Sequence, residues 1–226
     1  MTTGSFKVPS ELQSIYQQRF DQKTAYRNRL WQILVQDYFQ KLIPLDSAVL
    51  DLGAGYGEFI NNIRCRERYA MDLNPATADR VQPEVKMIAQ DCSEPWALPP
   101  GSLDIVFTSN FFEHLPDKHS LRETILQAHR CLRPGGRLIA LGPNIRYVPG
   151  EYWDFWDHFL CLTERSLGEA LENNGFQVTR SIPRFLPYSS VGRPDFPSWM
   201  IQAYVALPFL WRFFGRQFLV VAERRA

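Results

Sequence analysis

The chain has 226 residues, with 25 Lys and Arg against 24 Asp and Glu and a formal net charge of +1, so no global basic field draws it to nucleic acid. That length suffices for one large core with flanking elements. The four cysteines (Cys65, Cys92, Cys131 and Cys161) form no Cys-x-x-Cys pair and no zinc spacing, and residues 1–10 lack the order of a secretory leader, so reduced thiols, no metal and a cytoplasmic setting are expected.

Residues 10–42 carry a helical pattern. Tyr26, Leu30, Ile33, Leu34 and Leu42, with Trp31, Val35, Tyr38 and Phe39 on a neighbouring stripe, recur at three- and four-residue steps. Next comes Val49-Leu50-Asp51-Leu52-Gly53-Ala54-Gly55-Tyr56-Gly57-Glu58, an apolar run ending in alternate glycines, followed by a helical pattern. Glycine lets a ligand approach the backbone and tolerates positive φ. Such a loop is either a tight strand-to-helix turn or the floor of a cofactor crevice at the end of a strand. The dinucleotide fingerprint Gly-x-Gly-x-x-Gly is not met, since Glu58 stands where its third glycine belongs. Asp51 and Glu58 make the loop a poor pyrophosphate site and a better one for a cationic ligand.

Arg68 to Asp72 reads as a second strand ending in an acid, about twenty residues after the loop opens, the spacing of a ribose-binding carboxylate. Residues 85–92 read as a third strand, 103–110 as a fourth and 137–141 as a fifth. A helix from Asp117 to Cys131 precedes the last of these, stopped by Arg133-Pro134-Gly135-Gly136. Strands alternating with helices predict a doubly wound, mostly parallel α/β sheet. The loop over residues 143–162 is dense in aromatics, including Tyr147, Tyr152 and Trp153, which either line a pocket or anchor the loop. Thr163 is a good N-cap for a helix that should end near Asn174-Gly175.

Together, the glycine loop, Met71-Asp72, Gln90-Asp91-Cys92, Phe111-Phe112-Glu113-His114-Leu115 and Leu132-Arg133-Pro134-Gly135-Gly136 resemble the class I S-adenosylmethionine-dependent methyltransferases, most of all the branch acting on small molecules and lipids. The resemblance covers residues 47–178. It implies a Rossmann-like seven-stranded sheet with helices on both faces and an antiparallel last strand. It makes S-adenosyl-L-methionine the cofactor and S-adenosyl-L-homocysteine the product. Asp51, Gly53, Ala54 and Gly55 would hold the methionine part, and Asp72 the ribose, with Leu73 and Asn74 flanking the adenine. Asp91 would accept the adenine amino group beside the backbone of Cys92. Asn110 and Phe111 would pass the methionine chain, and His114 would shape the cofactor wall. Residues 1–44 would form an N-terminal helical lid or cap on a methyltransferase domain of residues 45–226, with Tyr16 and Arg19 closing over the cofactor.

His158 is the expected catalytic residue. Histidine near its ordinary pKa suits removal of a hydroxyl proton at neutral pH, and Asp157 or Asp154 would orient it. Family topology places residues 176–180 and 217–222 in strands six and seven, with an apolar insertion over residues 183–215 between them. Within it, residues 199–214 are almost wholly apolar and broken by Pro208. The segment is too interrupted to span a membrane. A membrane-surface segment and a helical cap or homodimer contact remain as readings. The acceptor is expected to be a small, apolar or lipid-linked molecule, with a protein methyltransferase or a non-catalytic scaffold or partner subunit as alternatives. No nucleic acid is expected: the Asn/Asp-Pro-Pro-aromatic motif and a Pro-Cys pair are both missing.

Overall fold

The computed structural model describes residues 23–188 and 195–225; Tyr16 and Arg19 fall outside them. Seven strands form one sheet in the order β3-β2-β1-β4-β5-β7-β6. They are β1 (Ala48–Leu52), β2 (Glu67–Met71), β3 (Val85–Ile88), β4 (Leu103–Ser109), β5 (Leu132–Pro143), β6 (Phe176–Ile182) and β7 (Gln217–Arg224). The first five pair in parallel, and β7 runs antiparallel between β5 and β6. Every residue of β1 is buried, as a central parallel strand covered on both faces should be. Strand order reverses between β1 and β4, which opens a crevice at their carboxyl ends.

One face is covered by α2 (Lys118–Cys131) and α3 (Glu164–Glu172). Both start on side-chain caps. The Asp117 carboxylate accepts from Ser120 N, and Thr163 forms a capping box with Ser166. The other face carries α1 (Thr24–Asp37), α4 (Ser198–Ala206) and α5 (Pro208–Phe214). Here Phe39, fully buried, meets the rings of Trp31, Tyr38, Phe59, Phe107 and Phe185. Pro208 divides the apolar insertion into two helices by occupying the first turn of α5, where its missing N–H costs nothing. Tyr204 Oη donates to Phe185 O at 2.7 Å and Trp211 Nε1 to Tyr204 O at 2.8 Å, which fixes the pair to the sheet.

Two local expectations change. The pattern after Gly57 does not extend into a regular helix; it makes isolated turns, Asn61 N to Gly57 O and Ile63 N to Phe59 O. The chain has ten residues from Gly57 before β2 must begin at Glu67, and the Asn62 side chain takes Glu58 O as an alternative partner. The Arg133-Pro134-Gly135-Gly136 stretch is not a turn before β5 but its bulged first part. α2 runs straight into Leu132, which pairs with Leu103 before the register shifts. Truncating Phe39→Ala should lower the unfolding free energy by about 3–5 kcal/mol, the cost of removing a fully packed ring, as measured by denaturant titration.

Candidate active site

The glycine loop leaves β1 and is tied to the end of β2 by Gly53 N and Ala54 N, both donating to Met71 O at 2.9 and 3.2 Å. Gly53 has φ +71°, and a Cβ there would collide with the Phe111 ring that covers it. Only glycine fits that position. Asp72 holds the loop from the other side, one carboxylate oxygen accepting from Gly55 N at 2.7 Å and the other from Asn74 N at 2.8 Å. Each oxygen keeps a lone pair for a further donor. Asn74 is buried and caps a short turn by accepting from Ala76 N, next to half-buried Leu73. Asp91 accepts from Ser93 N and Oγ at 2.8 and 2.7 Å. Burial pushes the neighbouring Cys92 thiol up to about 12, so it stays protonated, and the Cys92 carbonyl accepts from Trp96 Nε1.

Three carboxylates thus gather at one end of the sheet. Glu58 is buried and meets Arg27 of α1 at 2.7 Å. Asp51 lies 3% exposed, and burial first, then the negative charges of Glu58 and Asp72, raise its pKa well above the ordinary carboxylate range. Such a group favours a ligand that brings positive charge. Across the crevice, Asn110 takes the left-handed conformation (φ 49°) at the end of β4, held by its N–H to Leu141 O at 2.8 Å. Asparagine tolerates this better than most residues.

Behind Asn110, residues Phe112–His114 form a turn whose Glu113 carbonyl accepts from Phe159 N and Leu160 N, fastening the aromatic loop to β4. His114 Nδ1 lies 2.9 Å from Asp157 O and 3.1 Å from its Oδ2. Asp157 thus meets His114 as well as adjoining His158 in the chain; Asp154 lies one residue before Phe155, the ring that stacks on His158. His158 is buried between Phe155 and the His114 ring, at centroid distances of 5.0 and 4.8 Å. Glu113, His114 and His158 each bring a donor atom within 4.8 Å of the others, a set able to hold a cation. No spacing in the sequence announced this trio, which comes together only in space.

A cavity of about 710 Å³ opens against these groups. Of the expected residues, Asp51, Gly53, Ala54, Gly55, Asn110, His114, Asp157 and His158 line it. Asp72, Leu73, Asn74, Asp91, Cys92 and Phe111 stand outside its wall, at or beyond the ends of β2 to β4. Tyr147, Tyr152 and Trp153 are also outside it. Tyr152 is wholly buried with its hydroxyl donating to Leu160 O, Tyr147 lies under the Arg184 guanidinium, and Trp153 faces solvent. The aromatic wall comes instead from Phe155 of the loop and from Tyr188, Phe196, Trp199 and Tyr204 of the insertion, with Tyr26 and Trp31 of α1. The sequence signs of that wall were the apolar run over residues 199–214, the aromatic loop that holds Phe155 and the helical stripe that holds Tyr26 and Trp31.

A reversed-order parallel sheet, an acid-flanked glycine loop at its switch point and a second carboxylate on the next strand define a methyltransferase of the S-adenosylmethionine-dependent class. A family model described as a methyltransferase domain matches residues 24–181. The chain belongs to that family, and S-adenosylmethionine is the cofactor that family and fold imply. Among curated relatives it is 29% identical over 109 residues to methyltransferase str2 of Strobilurus tenacellus, covering 44% of this chain and 38% of that one. It is 24% identical over 143 residues to the probable methyltransferase PMT2 of Arabidopsis thaliana, covering 56% and 23%. The matches thus span well under half the length of these relatives. The fold is shared with a Haloferax volcanii methyltransferase solved in complex with the Trm112 activator (TM-score 0.69, 18% identity, 96% and 98% covered). It is also shared with a SAM-dependent methyltransferase of Archaeoglobus fulgidus (TM-score 0.66, 19% identity, 91% and 99% covered).

The donor set suits this cofactor: raised Asp51 faces the cavity that the loop floors, ready for an ammonium or sulfonium charge. The raised pKa also has a sign. The folded state holds this proton more tightly than the unfolded chain, so stability falls as pH rises from the unfolded value through the folded one. Asp51→Asn should therefore raise Tm at neutral pH, by a stabilisation of about 1–2 kcal/mol, and weaken S-adenosylmethionine binding about tenfold or more. Differential scanning and titration calorimetry check the two halves. In the parent protein, cofactor affinity should increase as pH rises through the raised Asp51 pKa, the outcome expected where its ionised carboxylate meets a positively charged ligand.

Proposed function

We propose that this methyltransferase acts on a small apolar or lipid-linked acceptor held in the 710 Å³ cavity. What carries the reading is the continuity of that cavity: the acidic glycine loop, the histidine pair and the aromatic insertion all border one space. Asp51, with the backbone of Gly53 to Gly55, would hold the methionine end of the cofactor; Asp72 would take the ribose hydroxyls and Asp91 the adenine amino group. α1, joined to the loop by Arg27 and Glu58, and α4 would form the cover over both ligands. The bound cofactor supplies a methyl carbon already activated by a sulfonium for in-line displacement, so positioning accounts for much of the acceleration.

In this reading His158 takes the proton of an acceptor hydroxyl. It lies in the cavity wall with its ring steadied by Phe155 and by His114, which Asp157 orients in turn. Buried aromatic neighbours keep bulk water from competing for the activated methyl group. The Haloferax neighbour, solved with an activator, supports a second reading in which turnover needs a partner subunit.

Methyl transfer from radiolabelled S-adenosylmethionine into a fractionated lysate tests the acceptor class. Label in the organic phase is expected; label confined to protein would overturn the reading, and turnover only after a lysate protein is added would favour the partner-dependent one. His158→Ala should lower turnover by about 10²–10⁴-fold, the range for a general base, and leave cofactor affinity unchanged. Full activity in that variant would make the residue structural.

A further inference from the structure

The rim of the cavity is itself an exposed apolar surface. Trp199 and Phe213 are 67% and 70% exposed, yet both also line the cavity, as do half-exposed Phe196 and Phe214. Next to them on α5, outside the cavity wall, Phe209 is 58% exposed. Large rings left in water around an opening are uncommon on a chain that has no use for them. They are not loosely placed: Trp211 and Tyr204 fix α4 and α5 to Phe185, and Arg184 donates to the Phe213 and Gly215 carbonyls at 2.7 Å each.

Charge singles out the occupant. Neither α4 nor α5 carries an Asp or Glu, and the exposed Arg212 lies on α5 among its rings; nearby, Arg216 is paired with Glu151 at 2.7 Å and Arg184 is held by the Phe213 and Gly215 carbonyls. Two helices with exposed rings, an exposed arginine and no acid suit an anionic lipid interface, where rings sit at headgroup depth and a guanidinium meets phosphate. α4 has nine residues and α5 seven, and no helix among the described residues is long and apolar enough to cross a bilayer, so contact would be along the surface.

We infer that the α4–α5 face docks on an anionic membrane surface and admits a lipid acceptor from the bilayer directly into the cavity. This rests on the apolar-acceptor reading above and gives it a source: the acceptor need never cross water. Docking would bury the rim rings and supply at once the local concentration and the orientation that a sparingly soluble substrate lacks.

The full chain is mixed with phosphatidylcholine vesicles, with and without one part in about three of phosphatidylglycerol, and floated on a density gradient; anionic content of this order gives the surface potential that attracts basic segments. The chain should float with the anionic vesicles and much less with the neutral ones, and added salt should release it. Phe209→Ser and Arg212→Glu alter the face without touching the cavity wall. Each should reduce flotation about tenfold, the scale of one buried ring or of a reversed charge at such a surface, with cofactor affinity by calorimetry unchanged. Equal flotation of parent and variants, no flotation on either vesicle, or a dimer that these substitutions dissociate would overturn the docking surface. The two readings fail separately. Vesicle binding with label only in polar metabolites would remove the lipid acceptor and overturn the delivery proposed here. Label in an organic extract with no vesicle binding would keep the acceptor and overturn the surface.

Discussion

Much of this molecule is organised around one buried acid, Asp51, whose environment opposes its ionisation. Its carboxyl sits at the end of a fully buried strand with Glu58 and Asp72 nearby, and burial with like charge drives it toward the neutral form. Natural sequences do not keep three acids together in a low-dielectric corner for stability, since uncompensated burial of charge opposes folding. The arrangement makes sense as an electrostatic receptor for a cation, preorganised before the ligand arrives. The surrounding design keeps it in place: Asp72 is spent on holding Gly55 and Asn74, Arg27 neutralises Glu58, and Gly53 packs so closely under Phe111 that the loop has one shape.

Rigidity for that loop comes from the aromatic layer beneath it. The Phe59 and Phe107 rings stack at 3.6 Å, and Phe39 and Trp31 close around them, so α1, the glycine loop and β4 share one packed cluster. The same cluster continues through Phe185 and Tyr38 to Trp211, which carries the insertion. The buried Trp211 anchor of the insertion is therefore joined through packed rings to Phe59 and Phe107, which border the cavity beside the glycine loop.

A second joint lies where the Glu113 carbonyl receives two N–H groups of the aromatic loop. That pairing brings Asp157 onto His114 and places His158 at the cavity wall.

Sequence by itself determined the elements whose cause is local. Apolar and helical patterns placed α2 and the first five strands along the chain, Asp117 and Thr163 fixed helix starts through their own side chains, and alternate glycines between acids marked the loop after β1. Those patterns act over a few residues, so they survive whatever the rest of the chain does. The tertiary structure alone decided what depends on distant segments landing together. It turned the stretch after Gly57 into isolated turns because β2 follows so soon. It folded Arg133 to Gly136 into β5 because Leu132 found Leu103, and it took Tyr147, Tyr152 and Trp153 out of the cavity wall while putting Tyr188 and Trp199 in it. Composition flagged the insertion as apolar but could not say which rings would be buried. That was set by Pro208, by the Trp211 anchor and by the space left between α1 and the sheet, a constraint of packing that no local pattern encodes.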